Sequence, residues 1–113
     1  MDQRFINISD FKKIQIAVGT ITEVMDFPEA RKPAWKLKID FGTLGIKMSS
    51  AQITKIYSKP DLLNRQIIAV INFPPKQIGN FMSECLVLGI TDNLGAVVLL
   101  KPDQQVENGL IVT

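Results

Sequence analysis

The clearest pattern of hydrophobic and polar positions lies in the middle of the chain. Apolar side chains occupy every odd position from Trp35 to Phe41, and charged side chains occupy the even positions between them. Successive side chains of a β-strand point to opposite faces, so this segment predicts a strand with one face in a core and one toward water. The charged face carries Lys36, Lys38 and Asp40.

Further strands are predicted before and after this segment. A period-two pattern begins at Ile14 and changes phase at Gly19, which predicts a bulge or bend in a long first strand. Residues 46–48 begin a third strand. Residues 66–73 are almost continuously apolar, as expected for a strand buried on both faces. The remaining predicted elements are a strand at 85–92, a turn at 92–95 and a last strand at 96–100.

Two short helices are predicted between these strands. Ser9 is expected to cap a helical turn near the N-terminus. Ser49 and Gln52 have the spacing of a capping box, so residues 49–57 are predicted to form a helix that stops before Pro60. The other connections are predicted loops at 27–33 and 74–84.

The order of these elements indicates a fold class. A five-stranded barrel with a helix between its third and fourth strands is the OB arrangement. We therefore expect an all-β protein, a five-stranded Greek-key OB barrel with a short helix between strands 3 and 4 and added N- and C-terminal elements. Residues 1–113 are expected to form one domain, with a core over about 11–100 and an extension over 101–113. The apolar tail 110–112 is not needed for a minimal five-stranded barrel, and we expect it to lie in the interface of a homodimer.

The composition excludes several kinds of chemistry. The chain has no histidine, so the commonest general base and metal ligand are absent. Its one cysteine, Cys85, cannot form an internal disulfide and is expected to be a buried thiol in a reducing compartment. No phosphate-binding glycine loop and no pair of spaced carboxylates is found. We expect a protein that is not an enzyme and has no catalytic residue, metal or cofactor.

The sequence gives no sign of insertion into a membrane. No apolar run approaches the roughly 20 residues of a membrane helix. The N-terminal segment lacks the basic start and apolar stretch of a signal peptide. We therefore expect a cytoplasmic protein.

The basic residues are concentrated in one part of the chain. Residues 31–76 carry nine basic and two acidic side chains, a net charge of +7, although the whole chain has only +2. Such asymmetry indicates an anionic partner. OB barrels bind oligonucleotides on strands 2 and 3 and the flanking loops. The candidate nucleic-acid-binding residues in those places are Arg31, Lys32, Lys36, Lys38, Lys47, Lys76, Asn80 and Ser83. A basic face that only keeps the protein soluble is the alternative.

The loop 74–84 also suggests an apolar partner. It presents Ile78, Phe81 and Met82 close together, which makes them candidate peptide-binding residues. Packing of Ile78 and Phe81 over the end of the barrel is the alternative. Phe27 and Phe81 are the candidates for stacking on bases. Because aromatic residues are scarce near the basic ones, recognition of the RNA backbone is favoured over reading of unstacked bases.

Several sequence blocks together resemble one family. The blocks are VGTI (18–21), FPEARKP (27–33), KLKIDFG (36–42), SSAQIT (49–54), NFPPKQI (72–78) and SECLVLG (83–89). They resemble the CsaA family of tRNA-binding OB domains, in order and over nearly the whole chain.

The resemblance implies an OB barrel whose terminal elements form a homodimer. It also implies binding of tRNA or structured RNA, and chaperone-like binding of unfolded or export-bound proteins with contact to the Sec motor. Lys76 is the one basic residue in a loop that usually carries more in such domains, with Gln77 and Met82 where a charge is expected. The alternative function is therefore a dedicated export chaperone that binds extended apolar peptides and keeps only vestigial RNA binding.

Overall fold

The computed structural model describes residues 4–113. Its two helices are α1 (Ile8–Lys12) and α2 (Lys59–Leu62), and a 3-10 turn spans Gly42–Leu44. The strands are β1 (Ile16–Asp26), β2 (Trp35–Asp40), β3 (Ile46–Ala51), β4 (Gln66–Val70), β5 (Lys76–Ile78), β6 (Phe81–Ser83), β7 (Leu86–Val87), β8 (Gly89–Thr91) and β9 (Val97–Leu99). None of the helices within residues 4–113 is long and apolar enough to cross a membrane.

Five antiparallel strands form the main sheet, in the order β3-β2-β1-β4-β7. The sheet curls until its two edge strands meet. There the backbone N–H of Glu84 donates to the carbonyl of Met48 (2.8 Å), and the buried Ser49 hydroxyl donates to the carbonyl of Cys85 (2.9 Å). The sheet is thus a nearly closed five-stranded barrel, with α2 between β3 and β4, and the predicted OB fold is confirmed.

The core follows the alternation seen in the sequence. Leu37 and Ile39 of β2, and Phe41 directly after it, are fully buried in the core, as predicted. Trp35, at the start of the same strand, is half-buried and its indole N–H donates to the carbonyl of Tyr57 (3.0 Å). Cys85 is also part of the core, as expected.

The phase change predicted at Gly19 is wrong. The inner face of β1 runs without interruption through Ala17, Gly19 and Ile21, and the register with β2 shifts later, between Ile21 and Glu23. A Cβ atom at Gly19 would lie only 2.7 Å from side-chain atoms of Ile39 and Phe41. Gly19 therefore leaves room for the core across the barrel rather than making a bulge.

The helix predicted at 49–57 is also wrong. Ser49 and Ser50 lie in β3, whose register with β2 is regular from Ile46 to Ala51. The helix between β3 and β4 is α2, and Pro60 lies in its first turn instead of ending it. Its capping box joins Ser58 and Asp61, so the motif that begins the helix lies nine residues after Ser49.

Two smaller expectations need similar correction. The N-cap of α1 is Asn7, which accepts from the backbone N–H of Asp10 (3.1 Å), and not Ser9. The segment 85–92 forms β7 and β8 rather than one strand. The turn that follows is as predicted, because Asp92 accepts from the backbone N–H groups of Leu94 and Ala96 (2.9 Å each).

The C-terminal tail completes the barrel wall beside β1. The backbone N–H of Val18 donates to the carbonyl of Leu110 (3.0 Å), and that of Val112 donates to the carbonyl of Ile16 (2.8 Å). The Asn108 side chain accepts from the Thr20 hydroxyl (2.8 Å) and the Gln66 amide (3.0 Å). The tail is therefore fixed to both β1 and β4 by polar contacts.

Candidate nucleic-acid interface

A groove of about 570 Å³ opens between two connections of the barrel. One wall is the β1–β2 loop (27–34) and the other is the β5–β6 hairpin, with the end of β3 between them. The lining residues are Phe27, Glu29, Ala30, Arg31, Lys32 and Ala34 of the loop, Ser50 and Gln52, and Lys76, Gln77, Ile78 and Gly79 of the hairpin. We call this space the β1–β2/hairpin groove.

The hairpin replaces the long loop predicted at 74–84. Gly79 has φ +61° and begins its two-residue turn, a conformation that glycine adopts readily. The register pairs Ile78 with Phe81, and Gln77 with Met82, so Met82 lies on the opposite face from the other two apolar residues. The prediction that Ile78, Phe81 and Met82 form one patch is therefore wrong.

Phe81 packs inward, on Phe27. Their ring centroids are 5.4 Å apart with planes tilted by 60°. Phe27 is buried and Phe81 half-buried, which leaves neither ring as an open stacking platform. Met82 is 46% exposed, and Ile78 lines the groove. Phe81 therefore packs against the β1–β2 loop, whereas Ile78 faces the groove.

The ammonium group of Lys36 lies against this aromatic pair. Its Nζ atom is 4.9 Å from the ring centroid of Phe27, 5.4 Å from that of Phe81 and 3.9 Å from Oε2 of Glu29. The side chain is only 23% exposed. Lys36 therefore links β2, the β1–β2 loop and the hairpin. Its ammonium group mainly contacts groups of the protein itself, which leaves it less available to a ligand.

The register separates Lys38 from Lys47. Directly opposed residues of antiparallel strands share a face. Lys38 opposes Met48 and therefore shares the outer face of Lys36, whereas Lys47 opposes the buried Ile39. The prediction that Lys47 shares the face of Lys36 and Lys38 is wrong, because β3 begins one position out of phase with the apolar pattern on which that prediction rested.

Three of the predicted cations are exposed and line one groove. Arg31 and Lys32 come from the β1–β2 loop, and Lys76 comes from β5, 44 residues further along than Lys32. Asn80 is exposed at the hairpin turn and is not among the lining residues. Ser83 has a structural contact instead, since its hydroxyl accepts from the backbone N–H of Ser50 (3.3 Å).

The other basic residues of segment 31–76 lie elsewhere. Lys59 pairs with Asp26 (3.1 Å) and lies over the ring of Trp35, and Arg65 lies over the ring of Tyr57. The cluster of charge along the sequence is therefore only partly a cluster in space.

Among residues 4–113, Cys85 and Asp61 have a clearly perturbed pKa, and neither lines the groove. Burial raises the pKa of the Cys85 thiol to about 11, so the thiol is protonated at neutral pH. Hydrogen bonds from Ser58 lower the pKa of the exposed Asp61, which caps α2. Within residues 4–113 there is no group of three or more acidic or cysteine residues arranged to hold a metal ion.

Sequence reasoning missed Ser50 and Gln52 as groove residues. Both were assigned to a helix by the capping-box spacing. The signal that could have found them is the continued alternation of Met48, Ser50 and Gln52, which extends the outer face of β3 toward the β1–β2 loop.

Comparison with known families places the chain in one of them. Residues 16–110 match the family described as "Putative tRNA binding domain". The chain belongs to this tRNA-binding domain family. The expected resemblance to CsaA is confirmed by two solved structures. The CsaA chaperone of Bacillus anthracis strain Ames is 50% identical with a TM-score of 0.91, covering 96% of this chain and 99% of that chain. The CsaA chaperone protein of Picrophilus torridus is 56% identical with a TM-score of 0.91, covering 96% and 100%.

The chain is also similar to a short part of much larger proteins. The methionine–tRNA ligases of Thermococcus onnurineus and Pyrococcus abyssi are 35% and 34% identical to this chain over 105 and 107 residues. These matches cover 93% and 95% of this chain but only 14% of each ligase.

The contacts of Lys36 generate a testable prediction. Replacing Lys36 by Met keeps most of the aliphatic side chain and removes the ammonium group from both rings. We expect the free energy of unfolding to fall by about 0.5–2 kcal/mol, the range of a partly desolvated cation–π contact. Urea unfolding followed by the fluorescence of Trp35 measures this change.

Lys38→Met is the matched control, because Lys38 lies on the same strand and face without a ring contact. Its effect should stay within about 0.5 kcal/mol, as for most surface changes. Equal losses for the two variants, or no coupling energy between Lys36→Met and Phe81→Leu in a double-mutant cycle, would contradict the role given to Lys36.

Proposed function

We propose that this protein is a non-catalytic, cytoplasmic RNA-binding module whose RNA is tRNA. One observation carries the proposal: Arg31, Lys32 and Lys76 converge from two separate connections on one groove. In OB barrels these connections flank the surface that binds oligonucleotides. Membership of the tRNA-binding domain family supports tRNA as the ligand.

The distribution of charge supports contact with the RNA backbone. Arg31, Lys32 and Lys76 are exposed and make no ion pair within residues 4–113, so each can neutralise a phosphate and release its counterion. Lys38 lies on the outer face of β2, two residues after Lys36, and is our fourth candidate. Lys36 acts differently: it positions the two walls of the groove. Asn80, at the exposed hairpin turn, is placed to meet RNA that passes over the groove.

We propose chaperone-like binding of unfolded proteins as a second function. Phe73 is 53% exposed and Leu86 is 49% exposed, and they line a groove of about 370 Å³ on the far side of Lys76. Exposed apolar side chains along a groove suit extended peptides. The similarity to proteins named CsaA chaperones supports this function. Contact with the Sec motor stays a prediction.

A homodimer through the terminal elements completes the proposal. Residues of α1, the segment after it and the tail line an apolar groove of about 480 Å³, among them Ile8, Phe11, Ile14 and Ile111. Ile8 is 67% exposed and Ile111 is 47% exposed. Burial of such a face in a two-fold contact would remove it from water, and continuity of the tail with β1 gives it a rigid support.

The RNA-binding proposal predicts a charge-specific loss of affinity. Arg31→Glu combined with Lys76→Glu should weaken tRNA binding by at least tenfold and lower the salt slope of log affinity by about two, because two phosphate contacts are lost. The control is Lys55→Glu with Lys101→Glu, which changes the net charge equally at exposed sites outside the groove. Filter binding at several salt concentrations measures both. Equal losses in the two double variants would refute a localised site.

The chaperone proposal predicts that the protein slows the aggregation of a denatured client. Phe73→Ser with Leu86→Ser should raise the concentration needed for half-suppression by about tenfold, because two apolar contacts are lost. Leu94→Ser is the control, since Leu94 is 88% exposed and outside that groove. Light scattering of a heated or diluted client gives the measurement. No suppression by the unchanged protein at stoichiometric amounts would end this proposal.

The dimer proposal predicts twice the chain mass of 12.6 kDa in solution. Ile111→Lys should shift the protein to monomer, because a buried ammonium group without a partner is costly, whereas Leu94→Lys should leave the mass unchanged. Light scattering at micromolar concentration distinguishes these states. A monomeric unchanged protein would show that the apolar face is not a self-association surface.

A further inference from the structure

The β1–β2/hairpin groove has the dimensions of a pocket for one small group. Its volume of about 570 Å³ falls within the range of roughly 300–1,000 Å³ typical of small-ligand sites. A double-helical RNA surface cannot enter a space of this size. A surface that binds only the phosphate backbone of RNA needs exposed cations but no cavity. The concave space between the two walls of the groove is therefore not explained by backbone binding.

The lining of the groove combines apolar, cationic and hydrogen-bonding side chains with one carboxylate, that of Glu29, which pairs with Lys36 (3.9 Å). Ala34 and Phe27 are buried and, with the half-buried Ile78, provide an apolar base. Arg31 and Lys76 are exposed cations on opposite walls. An apolar floor beneath positive rims matches a nucleotide, which has a flat base at one end and a phosphate at the other.

Ser50 and Gln52 add hydrogen-bonding groups to this lining. Ser50 is half-buried and Gln52 is exposed. Neither side chain makes a hydrogen bond within residues 4–113, since Ser50 bonds only through its backbone. A glutamine amide offers one acceptor and two donors, which can pair with the edge of a base. These two residues are therefore free to bind a polar edge that enters the groove.

We propose that the β1–β2/hairpin groove holds one unstacked nucleotide of the bound RNA. The base lies on Ala34 and Ile78, and its edge is bound by Gln52 and Ser50. The neighbouring phosphates lie against Arg31, Lys32 and Lys76. This inference rests on the proposed RNA-binding function and adds to it that the RNA must present a looped-out base.

A peptide fits the same groove less well. An apolar side chain could lie on Ala34 and Ile78, but it would leave Ser50 and Gln52 without partners and gain nothing from three cations. The groove lined by Phe73 and Leu86 is more apolar and better suited to a peptide.

The test uses three RNA hairpins with the same stem. One carries a single-nucleotide bulge, one has an abasic site at the bulge and one is fully paired. We expect the protein to bind the bulged RNA about tenfold more tightly than the other two, since hydrogen bonds to one base edge contribute a factor of about this size. Gln52→Leu should remove most of this preference and leave the affinity for the paired RNA and its salt slope unchanged.

Gln104→Leu is the matched control, because Gln104 is exposed on the tail and outside the groove. A 4-thiouridine at the bulge should cross-link to peptides containing residues 27–34 or 76–79. Equal affinity for the bulged and abasic RNA, or cross-links confined to other peptides, would overturn the inference while leaving RNA binding intact. Loss of the bulge preference on addition of an extended apolar peptide would assign the groove to peptides. Absence of binding to all three RNAs and to tRNA would instead refute the proposed function.

Discussion

Met48 and Glu84 join the two edges of the sheet, and the position of the groove depends on this junction. The backbone N–H of Met48 donates to the Glu84 carboxylate (2.9 Å), and the carbonyl of Met48 accepts from the Glu84 backbone (2.8 Å). Ser49 is next in the chain and is fully buried, yet its hydroxyl is satisfied by Cys85. A buried hydroxyl without such a partner would cost about 1–3 kcal/mol. Since the hairpin ends at Ser83, the same junction fixes the hairpin against β3 and so sets the width of the groove.

The sequence was a good guide wherever one local pattern decided the structure. The alternation from Trp35 to Phe41 predicted β2 and its buried face, and Asp92 predicted the turn before β9. Both depend on side chains within a few residues of one another. The OB topology followed from the order of the elements, because few folds place a helix between the third and fourth strands of a small barrel.

The failures occurred where contacts distant in sequence overrode a local pattern. Ser49 and Gln52 form a plausible capping box, but pairing of β3 with β2 on one side and with Glu84 and Cys85 on the other fixes an extended backbone there. The same register turned Lys47 away from Lys36. The candidate site was thus partly predictable, since the sequence indicates its two basic loops. The aromatic contact that holds Lys36 joins Phe27 to Phe81, and no spacing in the sequence encodes that contact.

The β5–β6 hairpin is bound to the barrel at its base, near Ser83, but its tip, at Gly79, projects away from the rest of the protein. Ser83 and Glu84 bind β3, whereas a Cβ atom at Gly79 would have no neighbour within 4 Å. Changes at the tip that keep Gly79, whose φ of +61° suits glycine, therefore have little effect on the barrel, while changes at the base affect its closure. Such a division lets ligand preference evolve at the turn without loss of the fold. It also makes the tip a natural place to graft or randomise sequence in a redesigned binder.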